Sequence, residues 1–415
     1  MTKEEIKALV REKMSSKRIV LFGAGVVAEE FYEAHKDLLN ISHCVSNIQK
    51  EWGEGAFMEG ELDVRQYRPE DIEENDYIIV CGPLAFRSIE LQLRDDGYEM
   101  YEDFVESKIA GAIYSGKKIA LFYGQCILRD IHKCLVQVPS FTEEYASIYT
   151  QASKGQAIVI NRLLYHVKDI CDLYVYTPKI LDKESIYSLN PNQLTKDCKV
   201  FSVSNLTYPL YWPQINDKVD EYNQFYIYPY NAKRDLDFYH RMYRQEDCNI
   251  NKMVIDGMTT KEIISTLSDE NFYSEKEVLK NKRIALKLIA AAEKTIDITV
   301  LDYIEDMYQK EMLYQNYIHP NKSVIWLYIR RLLTAIGLSL QDVDDIEREA
   351  PLHVHQSGDV PIYPSVAKHL SLEFVNKDTK YEILVGNGIT YMTFEEYTEH
   401  FTEYTRKAYE LMRLI

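Results

Sequence analysis

A chain of 415 residues is two to three times the usual domain length, which excludes one small core and sets an expectation of two or three domains. With 46% hydrophobic and 27% charged residues, wholesale disorder is excluded as well. The net charge of −17 disfavours broad contact with nucleic-acid phosphates or an anionic membrane leaflet, because both require a cationic face.

The first residues, MTKEEIKALVREKM, read as a charged amphipathic helix without a signal-peptide core. No stretch approaches the ~20 apolar residues of a membrane span. The seven cysteines (Cys44, Cys81, Cys126, Cys134, Cys171, Cys198 and Cys248) are scattered and contain no CxxC pair. That spacing is neither a disulfide framework nor a zinc site, so a cytoplasmic protein without a metal is expected. The 33 tyrosines against 3 tryptophans suit partly wet surfaces that stack on sugars or bases, or reflect a compositional habit.

Residues 1–113 alternate strand and helix signals. The run IVLFGAG is followed by the helical VVAEEFYEAHKDLL, then by ISHCVSN and DYIIVCG as further strands, and by SIELQLRDDGYE as a helix ending near Gly97. Such alternation predicts parallel pairing in a doubly wound sheet. A second sheet opens at KKIALFYG, Lys117 to Gly124. The region 114–341 then becomes increasingly helical, with apolar residues at helical spacing between Ser274 and Gln315 and a helix expected from Pro320 to Gly337. The region 342–415 carries a strand pair turning at Gly386-Asn387-Gly388 and a final amphipathic helix, expected to pack on the second domain or to serve a homo-oligomer interface. The fold class is therefore α/β: a Rossmann-like parallel-sheet domain, then a larger, helix-rich α/β domain.

Gly23-Ala24-Gly25, with Ala28 three residues on, sits between a strand and a helix. Glycines there permit a tight turn and let a phosphate meet the helix N-terminus, so the turn is a candidate nucleotide or nucleotide-sugar site; a structural turn is the alternative. The acidic residue expected after the second strand is missing, which disfavours nicotinamide chemistry: that strand ends in Val45-Ser46-Asn47. With the Gly60 turn and DYIIVCG, residues 17–108 resemble the small Rossmann-like modules attached to bacterial sugar-modifying transferases, in which the second strand commonly ends in Asp-Asn.

The segment Phe122-Tyr123-Gly124-Gln125-Cys126-Ile127-Leu128 marks a second strand-to-helix junction. Cys126 falls at the helix start, where the dipole favours thiolate and the free turn amides suit a developing oxyanion. Burial as a core thiol, as expected of Cys134, is the alternative. Ile318-His319-Pro320-Asn321 places a histidine in a loop before a helix, where it is expected to face a cleft as a general base or to cap the helix. In Asn205-Leu206-Thr207-Tyr208-Pro209-Leu210-Tyr211-Trp212-Pro213-Gln214, two prolines hold the chain irregular. There Tyr208, Tyr211 and Trp212 are expected to expose flat faces for stacking, or to form a hydrophobic lid, with Asn205 a candidate oxyanion donor.

Taken together, the strand, the Gly-Gln-Cys turn, the NxxYPLYWPQ loop, a long helix carrying Lys282-Arg283, and IHPN resemble the WcbI-type capsule-polysaccharide biosynthesis family over about Lys117 to Gly337. The family motif usually reads Gly-Asn-Cys-Gln, and here Gly124-Gln125-Cys126-Ile127 keeps the glycine and the cysteine. The resemblance implies an acetyltransferase that binds coenzyme A. A looser analogy holds with SGNH-type esterases and acyltransferases, in which an aspartate precedes the late histidine by three residues; Asn316 stands there here. The implied function is CoA-dependent acyl, most simply acetyl, transfer to a hydroxyl of a sugar or surface-polysaccharide precursor. Cys126, His319 and Asn205 are the catalytic candidates. Gly124, Gln125, Arg129, Tyr208, Trp212, Lys282 and Arg283 are the candidates around CoA. The alternatives are a glycan esterase or deacetylase and a non-catalytic nucleotide-sugar-binding scaffold.

Overall fold

Short apolar runs closed by glycine or a polar residue form the buried strands of two parallel sheets. The computed structural model describes residues 1–47, 62–82, 85–151, 166–178, 189–204, 208–214, 247–355, 358–385 and 388–413. The first sheet comprises β1 (Arg18–Phe22), β2 (Ile41–Ser46), β3 (Val64–Gln66), β4 (Asp76–Val80) and β5 (Phe104–Glu106), in the order β3-β2-β1-β4-β5. Every pairing in it is parallel. After Arg18 and Asp76, which pair with each other at the strand starts, the central strands β1 and β4 are apolar and buried because both faces of the sheet are covered, the usual state of a parallel sheet. The helices α1 (Lys3–Ser16), α2 (Val26–His35), α3 (Phe86–Asp95) and α4 (Ser107–Tyr114) accompany it. Two of them start on side-chain caps: a reciprocal Thr2–Glu5 box on α1, and the Glu106 carboxylate on the Lys108 and Ile109 amides of α4.

The second sheet contains β6 (Lys118–Gly124), β7 (Tyr145–Gln151), β8 (Leu173–Tyr176) and β9 (Lys199–Ser202), also all parallel, in the order β7-β6-β8-β9. Between β6 and β7 lie α5 (Cys126–Leu135) and α6 (Pro139–Glu144). The α/β class with a Rossmann-like first sheet stands as read from the sequence.

Two compact units emerge: Met1–Val203 with Arg330–Ile346, and Ser204–Ile329 with Glu347–Ile415. Both parallel sheets belong to the first. The boundary drawn near residue 113 falls between the sheets, and the one near 341 falls within Arg330–Ile346. The second unit is mainly helical, its longest helices being Glu275–Glu293 and Phe394–Arg413, with the antiparallel pair β10 (Tyr381–Val385) and β11 (Gly388–Met392). Val385 faces Gly388 across that pair; Gly386 and Asn387 lie outside the described residues. The helix expected from Pro320 begins at Lys322.

Among the described residues, tyrosine serves the interior more than the wet surface anticipated for it. Tyr77, Tyr174 and Tyr211 are fully buried, and their hydroxyls donate to the carbonyls of Tyr101, Leu189 and Tyr308. A buried ring whose hydroxyl finds a backbone acceptor avoids the penalty of an orphaned donor. All seven cysteines are free thiols. Among the described residues, no helix is long and apolar enough to cross a membrane.

Candidate functional site

Each parallel sheet of the first unit has a strand-to-helix turn where ligands collect in doubly wound folds, outside the C-terminal ends of the strands where the strand order reverses. In the first sheet that place is the end of β1. Gly23 adopts φ +121°, and a Cβ on it would lie 2.9 Å from the Cys81 carbonyl oxygen, so both conformation and close approach require glycine. Gly25 caps α2 with open space before it, and Ala28 is fully buried against the sheet, the close packing its small size allows. Ala24 lies half-buried between the two glycines. Where a ribose-binding carboxylate is missing, the Asn47 amide instead pairs reciprocally with Gln92 at 2.6 and 3.2 Å.

In the second sheet, the corresponding turn is Gly124-Gln125-Cys126. A Cβ on Gly124 would meet Leu128 Cδ2 at 2.7 Å and Thr177 Oγ1 at 2.8 Å, so glycine is needed for close packing between β6, α5 and the end of β8. The Gly124 carbonyl accepts a hydrogen bond from Tyr149 at 3.2 Å. Gln125 occupies the N-cap of α5 without capping through its side chain, and Cys126 is the first helical residue. The other face of α5, with Ile127, Leu128, Ile131, Cys134 and Leu135, is buried in the core. Cys126 stays half-buried, as does Arg129 on the same side of the helix one turn on, whereas Cys134 is buried as anticipated. The first amides of a helix lack intrahelical acceptors, so this turn offers donors beside a thiol.

The remaining candidates belong to the second unit. Tyr208 and Trp212 are each 0% exposed, which corrects the expectation of flat faces open for stacking. Tyr208 stacks on Tyr314 with ring centroids 4.3 Å apart, and Trp212 donates to the Val360 carbonyl at 2.8 Å. Asn281, from the helix Glu275–Glu293, donates to the Pro209 carbonyl at 2.8 Å, so the two-proline loop is a pinned core element. Asn205 lies outside the described residues. Lys282 and Arg283 do not converge: the Lys282 ammonium sits 4.3 Å from the centre of the Tyr308 ring and bonds its hydroxyl, while Arg283 is exposed. Consecutive helical residues point ~100° apart, which keeps this pair from gripping one phosphate.

His319 is 8% exposed, not open to a cleft as the loop position suggested. The Asn316 carboxamide oxygen accepts from the Ile318 and His319 amides at 3.1 and 3.0 Å, and Tyr314 bridges to Pro320. Asn316 thus holds the backbone of His319. The His319 ring stacks on His355 at 3.7 Å and 17°.

Sequence reasoning missed His353, His355 and Asp359, although two histidines separated by one residue before Ser-Gly-Asp carried the signal. His353 Nδ1 faces Asn321 Oδ1 at 2.9 Å and its Nε2 lies 3.3 Å from Asp359 Oδ1. Burial lowers the pKa of His353, but Asp359 and Glu382 outweigh it, and the net shift is upward. Among the described residues, no group of three or more His, Cys, Asp or Glu side chains is arranged to hold a metal ion.

Residues 170–341 match the model of the family described as polysaccharide biosynthesis enzyme WcbI. The resemblance to this family therefore stands. The matched span includes the aromatic loop, Lys282-Arg283 and IHPN, and begins after the Cys126 turn. A solved structure is similar in fold, with a TM-score of 0.52 at 17% identity, covering 70% of this chain and 90% of that one. It is described as structural insights into WcbI, a novel polysaccharide biosynthesis enzyme, in a native form without a disulfide bond between CoA and one of its cysteines. No curated protein matches the chain.

Proposed function

We propose that this chain is an enzyme of polysaccharide biosynthesis that transfers an acyl group, most simply acetyl, from CoA to a hydroxyl of a sugar or surface-glycan precursor in the cytoplasm. The observation that carries the reading is Cys126: a half-buried thiol at the first position of α5, at the strand-order reversal of a parallel sheet, behind a glycine that tolerates no side chain. The WcbI family match supports the pathway class, and the CoA named with the similar structure supports the choice of co-substrate.

On this reading, a general base removes the proton of the acceptor hydroxyl or of the Cys126 thiol, and His319 remains the sequence candidate for that role. The resulting nucleophile attacks the thioester carbonyl carbon, and the turn amides after Gly124 and Gln125 stabilise the tetrahedral oxyanion. Collapse expels the CoA thiolate, which takes the proton back from the base. If Cys126 carries the acyl group first, the acceptor hydroxyl then gives its proton to the base and attacks that thioester, and collapse releases the Cys126 thiolate, which is reprotonated by the base. Arg129, one turn along α5 from Cys126, is the assigned cation for a CoA phosphate.

The test is incubation of the full chain with CoA disulfide, followed by intact-mass measurement. A CoA adduct reversed by reductant and absent in Cys126→Ser is expected, as is acyl-CoA binding by calorimetry. Failure to bind any CoA species would favour the hydrolase. For the Gly23-Ala24-Gly25 turn we keep a nucleotide or nucleotide-sugar as the proposed ligand, supported by the open space before Gly25; titration with nucleoside diphosphates and their sugar conjugates tests it.

A further inference from the structure

The helix Glu275–Glu293 buries Val278, Ala285 and Ile289 and turns its opposite face to solvent. At 100° per residue, Lys276, Lys280, Arg283, Lys287 and the C-cap residue Lys294 fall within an arc of about 60°, forming a ridge roughly 27 Å long. All five are exposed, and none of them forms an ion pair among the described residues. The carboxylates on this helix do not balance the ridge. Glu277 is engaged with the amide and hydroxyl of Ser274, Glu293 with the amides of Val300 and Leu301, and the exposed Glu275 lies at one end of the ridge, about 100° round the helix from Lys276. Beside the ridge stand three large aliphatic side chains, Leu279, Ile284 and Leu288, which are 37%, 46% and 54% exposed.

A row of unpaired cations is out of character for a chain of net charge −17. At physiological salt the screening length is ~8 Å, so the ridge acts through its own local field and not through the total charge. Its shoulders narrow the kind of partner. Sugar rings and nucleobases stack on aromatic faces, and the exposed large side chains flanking these cations are aliphatic. Aliphatic side chains next to lysines match a surface that offers anionic headgroups and acyl chains together.

We propose that this helix face docks the protein on an anionic phospholipid surface, with the five cations meeting headgroups and Ile284 and Leu288 dipping between them. The contact is peripheral: the apolar stripe that would insert a helix more deeply is occupied by the protein core.

Flotation of the full-length protein with vesicles tests this. Vesicles of phosphatidylcholine alone are compared with vesicles containing phosphatidylglycerol, at low and high salt. Binding is expected only to the phosphatidylglycerol vesicles and is expected to fall steeply with salt. Each cation near an anionic surface contributes about fivefold in affinity, so Lys280→Glu combined with Lys287→Glu is expected to lose at least tenfold. Ile284→Ser with Leu288→Ser is expected to weaken binding while preserving its salt dependence. Absence of flotation, equal binding to neutral vesicles, or indifference to the lysine reversals overturns the proposal. So does a ridge-dependent dimer, or ridge-dependent binding to a soluble polyanion, in the absence of vesicle binding, since each assigns the ridge another occupant.

Discussion

The imidazole of His319 lies face to face with that of His355, their ring centres 3.7 Å apart. The partner ring comes from a loop whose Gln315 contacts, from the side chain to the His355 carbonyl at 2.8 Å and from the Val360 amide to the Gln315 carbonyl at 2.8 Å, fix it beside IHPN. His355 is therefore a positioning residue for the proposed base. Replacing it with Ala is expected to lower kcat/KM for acyl transfer by about 10–100-fold, since small misplacements of a reacting group cost that much. His355→Phe, which keeps a flat ring, is expected to recover most of the loss. Equal loss in both variants would remove the positioning role.

The His353–Asp359 pair predicts a pH-dependent stability. With its pKa raised above the usual value, His353 contributes stability that is complete below the ordinary histidine range and is lost as pH rises through the folded-state value. His353→Gln is expected to lower the Tm more at about pH 6 than at about pH 8.5. A pH-independent difference in thermal melts would count against the ion pair.

Glu106 works in the same sense for a different reason. Complete burial raises its pKa to about 7, although it caps two amides of α4. Its protonated form is favoured in the folded state, so stability is greatest below about pH 4.5 for this group and falls as pH climbs through about 7. Glu106→Gln is expected to flatten the decline in Tm between about pH 5 and pH 8; melts that keep the full decline would place its origin elsewhere.

The glycines of the first turn separate by their surroundings. Gly23→Ala meets a backbone carbonyl at 2.9 Å with φ +121° and is expected to cost about 1–3 kcal/mol. Gly25→Ala faces open space at an ordinary φ of −122° and is expected to stay within about 1 kcal/mol of the parent protein. Chemical denaturation of the two variants checks the ranking.

Trp212→Phe removes the donor to the Val360 carbonyl from a fully buried site, at an expected cost of about 1–3 kcal/mol. Because the ring is packed inside the second unit, the affinity for CoA is expected to remain unchanged. A large calorimetric loss of CoA binding without loss of stability would return Trp212 to the ligand.

What the sequence determined by itself was local and repetitive. Apolar runs ending at Gly23 and Gly124 had to be buried strands, the residues after them had to start helices, and Cys126 had to fall at a helix start, because these features depend on neighbours within one turn. Tertiary structure decided which surfaces those residues present. The same tyrosines that suit a wet stacking face become core when Tyr314 and Val360 cover Tyr208 and Trp212. His319 is buried by a loop that follows it in the chain, and Lys282 is taken up by Tyr308 while Arg283 beside it stays exposed. Burial and partnership are set by segments brought together only when the chain is packed, so no local pattern could have announced them.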